Sequence, residues 1–198
     1  MYDFPQTTKQ LKSRIASYRS ALLKEKKRFG HVNDGDGMRY LLFSLYFVLN
    51  DTKETKDYIE WYEKEFADDI GEPIQKLCWA LSLRRMNDEQ KAKKLLAETM
   101  LTNLYIIPHL LHRKIDRYDI WHPSSDQSPG YVNYLPHEVI SAVTQEERKW
   151  ISQQYDSSEF RRVRQRYIEI YRELKDASDF SERGRLLDES NSLVDSIQ

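Results

Sequence analysis

Residues Cys78-Trp79-Ala80-Leu81-Ser82-Leu83-Arg84-Arg85-Met86-Asn87-Asp88, continuing to Ala92-Lys93-Lys94-Leu95-Leu96, decide the reading of the fold. The first run belongs to a helix from about Pro73 to Met86, with proline suited to its first turn. It stops at Asn87-Asp88, and a second helix follows to about Leu101 with Ala92, Leu95, Leu96 and Met100 inward. Two helices joined by so short a turn form a hairpin, and one hairpin cannot bury its own apolar face.

Upstream, residues 6 to 29 read as an amphipathic helix through Leu11, Ile15, Tyr18 and Leu22, ending at Gly30. Gly30 to Gly37 is a turn-rich connector in which Asp36 is placed to cap the next helix. Arg39 to Leu49 is apolar at almost every position, which predicts a helix covered on most sides. Asp51 and Glu54 have capping-box spacing, and Ile59, Tyr62 and Phe66 form a stripe before the break at Asp68-Asp69-Ile70-Gly71-Glu72-Pro73. Downstream, Pro108 begins a shorter helix to about Lys114, and residues 116 to 136 are irregular. Three capped helices close the chain: Thr144 with Glu147, Asp156 with Glu159, and Asp179 with Glu182, the last interrupted by Gly184.

Composition agrees with an all-α fold. Of 198 residues, 39% are hydrophobic and 32% charged, with only 6 Gly and 6 Pro, against the needs of a turn-rich β-sandwich or a low-complexity linker. The formal net charge of -1 supplies no global attraction to nucleic acid or anionic lipid. The single cysteine, Cys78, lies in an apolar run and cannot form an internal disulfide, which suits a reducing, cytoplasmic compartment. The N-terminus lacks an apolar signal core, and Tyr40 to Leu49 is far shorter than the ~20 residues of a membrane span.

Leu49-Asn50-Asp51 and Met86-Asn87-Asp88 recur at matching places between helices, and Pro73 and Pro108 begin successive pairs, both near a 34-residue period. The stretch from Cys78 to Leu96 resembles a degenerate tetratricopeptide repeat, and the resemblance extends over residues 36–113, about two and a half units. Phe43 and Thr55 depart from the family's small residues at close helix crossings, and Leu104 from its proline. The resemblance implies an α-α superhelix of helix pairs with N-terminal and C-terminal capping helices. The chain then divides into a 6–30 helix, the 36–113 repeats, a 114–136 loop and 137–198 C-terminal helices, within a single domain of residues 1–198.

The resemblance also implies a protein-interaction module that binds a peptide or partner protein through the first helix of each pair. That surface would draw on Tyr40, Ser44 and Phe47, then on Leu77, Leu81 and Arg84, and lastly on His112. Because the helix at 39–49 is apolar nearly all round, the chain's own terminal helices could fill part of this groove and leave an outer face for partners.

No catalytic residue, metal or cofactor is expected. His109 and His112, with His122 and His137 later, lack a His-Glu-x-x-His pattern, and no Gly-rich phosphate loop or nucleophile elbow is present. An enzyme would need a site without a motif, near His109, His112 and Trp121. Charge is segregated: residues 9–28 sum to +7 and residues 51–72 to -6, so the segments could attract each other within one chain or across a homodimer. The basic N-terminal helix could instead hold nucleic acid, with Arg161, Arg162, Arg164 and Arg166 extending the patch although Glu159 and Glu169 dilute it; a charged helix face is usually only a solvated face, and nucleic acid is not the expected partner. The aromatic loop Tyr118 to Tyr134 reads as a cover over the open end of the helices.

Overall fold

The computed structural model describes residues 3–197, and the fold is all-α, with no strand among those residues. The helices are α1 (Thr8–Phe29), α2 (Met38–Leu49), α3 (Thr52–Glu65), α4 (Pro73–Arg85), α5 (Glu89–Thr102), α6 (Ile106–Leu110), α7 (His137–Ala142), α8 (Gln145–Tyr155), α9 (Ser158–Asp176) and α10 (Phe180–Ser192). Short 3-10 turns at Ser125–Gln127 and Pro129–Tyr134 break the long loop before α7, and a third at Leu193–Ser196 follows α10.

Side-chain caps fix most helix starts. Thr7 with Gln10 and Thr144 with Glu147 form capping boxes, while Asp51, Asp88 and Asp179 each accept a backbone N–H from the first turn. Four starts or ends differ from expectation. Asp36 does not cap α2: the Asp34 carboxylate, reaching across a turn, accepts from the Met38 and Arg39 amides at 2.8 Å each. Ser157, not Asp156, accepts the Phe160 amide and starts α9, while Asp156 ends α8. Helix α6 begins two residues before Pro108 and stops at Leu111, where His112 turns the chain at φ 53°. Gly184 lies within an unbroken α10.

Helix α2 is the hub of the core, packing on α1, α3, α4 and α7. The most extensive helix–helix contact is between α4 and α5, and the fully buried Ala80 on α4 and Ala92 and Ala97 on α5 suit it, since small side chains let two backbones approach. The α2–α3 pair is held apart by rings instead. Phe43 stands edge-on to Tyr58 and to Tyr62, each at 5.0 Å between centroids, and Trp79 of α4 joins the cluster at 5.2 Å from Phe43. Helices α8, α9 and α10 close the other end, with α9 seated on α5.

The opposed charges of α1 and α3 meet within the chain at one ion pair among the described residues. Lys26 pairs with Glu65, and the Arg19 guanidinium lies over the rings of Tyr58 and Trp61 at 5.2 and 4.9 Å. The α9 arginines do not continue the basic patch as a set. Arg166 pairs with Glu189 and Glu173, and Arg164 lies over Tyr155 while donating to its carbonyl.

Candidate functional site

The first helices of the two pairs, α2 and α4, pack directly against each other, and the surface they would present as a groove is covered by the chain itself. Helix α7 lies on α2. The Arg85 guanidinium stitches the cover down, donating to the Glu147 carboxylate at 2.7 and 3.2 Å, to the Phe47 and Ala142 carbonyls at 2.9 and 3.0 Å, and to Asn50 Oδ1 at 3.0 Å. At the other end of α4 the Tyr131 hydroxyl accepts the Ile74 amide at 3.3 Å.

This cover changes the role of the expected groove residues. Ser44, Phe47, Leu77 and Leu81 are buried, so in this fold they are core residues rather than accessible lining. Ser44 Oγ faces Cys78 Sγ at 3.8 Å instead of a ligand. Arg84 reaches the surface, pairs with Glu89 at 2.7 Å and lies over the Trp150 ring at 4.7 Å, on the wall of an open cleft of about 750 Å³ that Asn50, Thr144 and Glu146 also line. His112 is exposed on its turn beyond α6. Phe47, though buried, borders the same cleft as Arg84, but the seven residues as a set do not converge on one site.

The residues of the alternative enzyme site are also apart in role. Trp121 stacks on Tyr171 of α9 at 6.1 Å, accepts the cation of Arg183 over its face at 5.0 Å, and donates its backbone N–H to the Tyr171 carbonyl at 2.9 Å. His109 is half-buried, and burial, then the nearby His112, lowers its pKa. Among the described residues no group of three His, Cys, Asp or Glu side chains could hold a metal ion. Burial pushes the Cys78 thiol up to about 12, so it is not a nucleophile near neutral pH.

Tyr40 leads to a different surface. Its hydroxyl donates to Asp69 Oδ1 at 2.6 Å and accepts from Arg39 Nη2 at 2.6 Å, while Arg39 Nε donates to Asp69 Oδ2 at 2.6 Å and Nη1 to Asp34 Oδ2 at 3.1 Å. Burial, with the bond to Asp69, raises Tyr40 to about 12. Burial opposes ionisation of Asp69, but the bonds from Tyr40 and Arg39 outweigh it and hold the carboxyl below its ordinary value. Asp69 also accepts the Gly71 amide at 3.1 Å, and Gly71 sits at φ 73° where a Cβ would meet Gln75 Oε1 at 2.4 Å.

The turn so fixed carries Ile70, whose side chain is 82% exposed. Ile70 borders a cleft of about 280 Å³ whose floor includes Trp79, Leu83 and Leu95, with Lys76 and Glu98 paired at 3.2 Å on its edge. Ile70 escapes a periodic reading of the sequence because it lies in a helix break. The available signal is an isolated β-branched apolar residue between Asp68-Asp69 and Gly71-Glu72, where a soluble turn has no use for one.

Compared with protein families, with curated proteins and with solved structures, the chain matches none of them. No helix among the described residues is long and apolar enough to cross a membrane.

Proposed function

We propose that this protein is a protein-interaction module that docks a peptide or partner protein on the outer cleft between α3, α4 and α5, not in the groove of the helix pairs. The observation that carries the reading is Ile70: a large apolar side chain, 82% exposed, held outward by a turn anchored through Asp69 to Arg39 and Tyr40. A flexible exposed isoleucine would be ordinary, but a rigidly presented one beside a tryptophan-floored cleft has the makings of a binding hot spot, because little side-chain and loop freedom is left to lose on association. The occupant best suited to the cleft is a segment that offers an apolar side chain to Ile70 and Trp79. The tetratricopeptide resemblance supports the same class of function through a different face.

The test is affinity capture from native lysate with the wild-type chain, with Ile70→Asp and with Arg84→Ala, followed by measurement of each captured partner's affinity for all three proteins. A partner that loses at least about tenfold in affinity for Ile70→Asp and binds Arg84→Ala as wild type is the expected result, since one hot-spot residue is worth about 2 kcal/mol or more. Partners that bind Ile70→Asp unchanged would overturn the outer-cleft reading.

A further inference from the structure

Helix α1 presents two faces of opposite use. Leu11, Ile15 and Leu22 are buried against the core, and the one acid of the helix, Glu25, is turned aside to accept the Asp34 amide at 3.1 Å. Lys26 is consumed by Glu65 and Arg19 by Tyr58 and Trp61. Outward stand Lys9, Lys12, Lys24 and Lys27, all exposed and without a hydrogen bond or ion pair to any described residue.

These four lysines form two pairs. Lys9 and Lys27 lie 18 residues apart, about five full turns, so they point the same way. The two pairs are about 20 Å apart along the axis. Between them the exposed surface is Ser13, Ala16, Ser17 and Ser20, side chains too short to hold a neighbouring surface away, with Leu23 exposed next to the second pair. Two cationic clusters about 20 Å apart on the helix axis reach two rows of phosphates across a B-form groove about 12 Å wide when the flexible lysine stems on each side lean inward by about 4 Å over the low saddle between them.

We infer that the outward face of α1 binds double-stranded nucleic acid through its phosphates, without reading sequence. Other polyanionic occupants fit less well. Insertion into an anionic membrane needs a continuous apolar face toward the lipid, and that face of α1 is already packed on α2; the large apolar residues it leaves exposed, Leu23 at 47% and Phe29 at 55%, are six residues apart and form no stripe. A second α1 would bring four more lysines against these four. The contact makes use of ammonium and hydroxyl donors, which serve phosphate oxygens and carry no base specificity.

Fluorescence anisotropy with labelled DNA and RNA duplexes of roughly 20 base pairs, two helical turns, tests the inference on the full chain. One variant replaces Lys9, Lys12, Lys24 and Lys27 with Gln; a control replaces the exposed Lys53, Lys56, Lys64 and Lys149 with Gln, changing net charge equally. For four phosphate contacts the expected wild-type affinity falls about 100-fold between about 50 and 200 mM salt. The α1 variant loses nearly all of this salt dependence and at least about tenfold in affinity at the lower salt, while the control stays within about twofold of wild type. Three results would each overturn the inference: no duplex binding at the lower salt, equal loss in the two variants, or binding to phosphatidylserine-containing vesicles with none to either duplex.

Discussion

Arg85 and its neighbour Arg84 differ by one position and have opposite fates. Arg84 takes the solvent side of α4, while Arg85 turns under α7 and α8 and pairs with Glu147, itself only 4% exposed and also the capping-box partner of Thr144. Truncating Arg85 strands a buried carboxylate and frees two carbonyls at once. Arg85→Ala is expected to cost about 3–5 kcal/mol in urea unfolding, and the double substitution Arg85→Met with Glu147→Gln to recover most of it, because removing both charges removes the unpaired one. A loss below about 1 kcal/mol for Arg85→Ala would mean that the cover is not fastened here. The chain at 84–85 gives no local sign of which arginine turns inward; that depends on where residues 137–155 land, a long-range fact. Cys78 is the opposite case, since an apolar run on both sides already marks its thiol as core, and it is fully buried.

Elements are legible where capping chemistry and period agree. The pairs Asp51 with Glu54, Thr144 with Glu147 and Asp179 with Glu182 mark true helix starts, and Pro73 is the first residue of α4. The pattern misleads where two candidates for one role stand side by side. Asp156 and Ser157 can each cap, and the serine does so because the aspartate pairs with Arg113 at 2.6 Å. Asp34 displaces Asp36 because it caps from a left-handed turn closed by the Gly37 amide on the Asp34 carbonyl and held by Glu25 and Arg39. Helix α7 has six residues, too few for a periodic signal. Packing of elements follows side-chain size: alanines bring α4 and α5 together, and rings keep α2 and α3 apart. Ala92→Leu, which forces extra methylenes into the α4–α5 seam, is expected to destabilise by about 1–3 kcal/mol by thermal or urea unfolding, although leucine is nearly as good a helix former. Unchanged stability would contradict so close a seam.

At the scale of the molecule, the helix pairs do not leave an open channel. Helix α7 lies on α2, the start of α8 is tied to α4 through Glu147 and Arg85, and the Pro129–Tyr134 turn touches the start of α4, so the all-round apolarity of residues 39–49 is answered by cover from within the chain. Which segment supplies that cover is not readable, because the loop between Leu111 and His137 is long enough to deliver α7 to either end of the stack. Among the outward surfaces are the Ile70 cleft, the lysine face of α1 and the open polar cleft beside Arg84. The central claim is that partners dock on the outer cleft while the cover stays closed. Hydrogen–deuterium exchange of the protein, alone and with a partner whose binding depends on Ile70, tests it most directly. Added protection in residues 66–76 and 91–98, with no change at 129–142, is the predicted result. Loss of protection at 129–142 together with new protection in α2 would show the groove opening to receive the partner, and would contradict it.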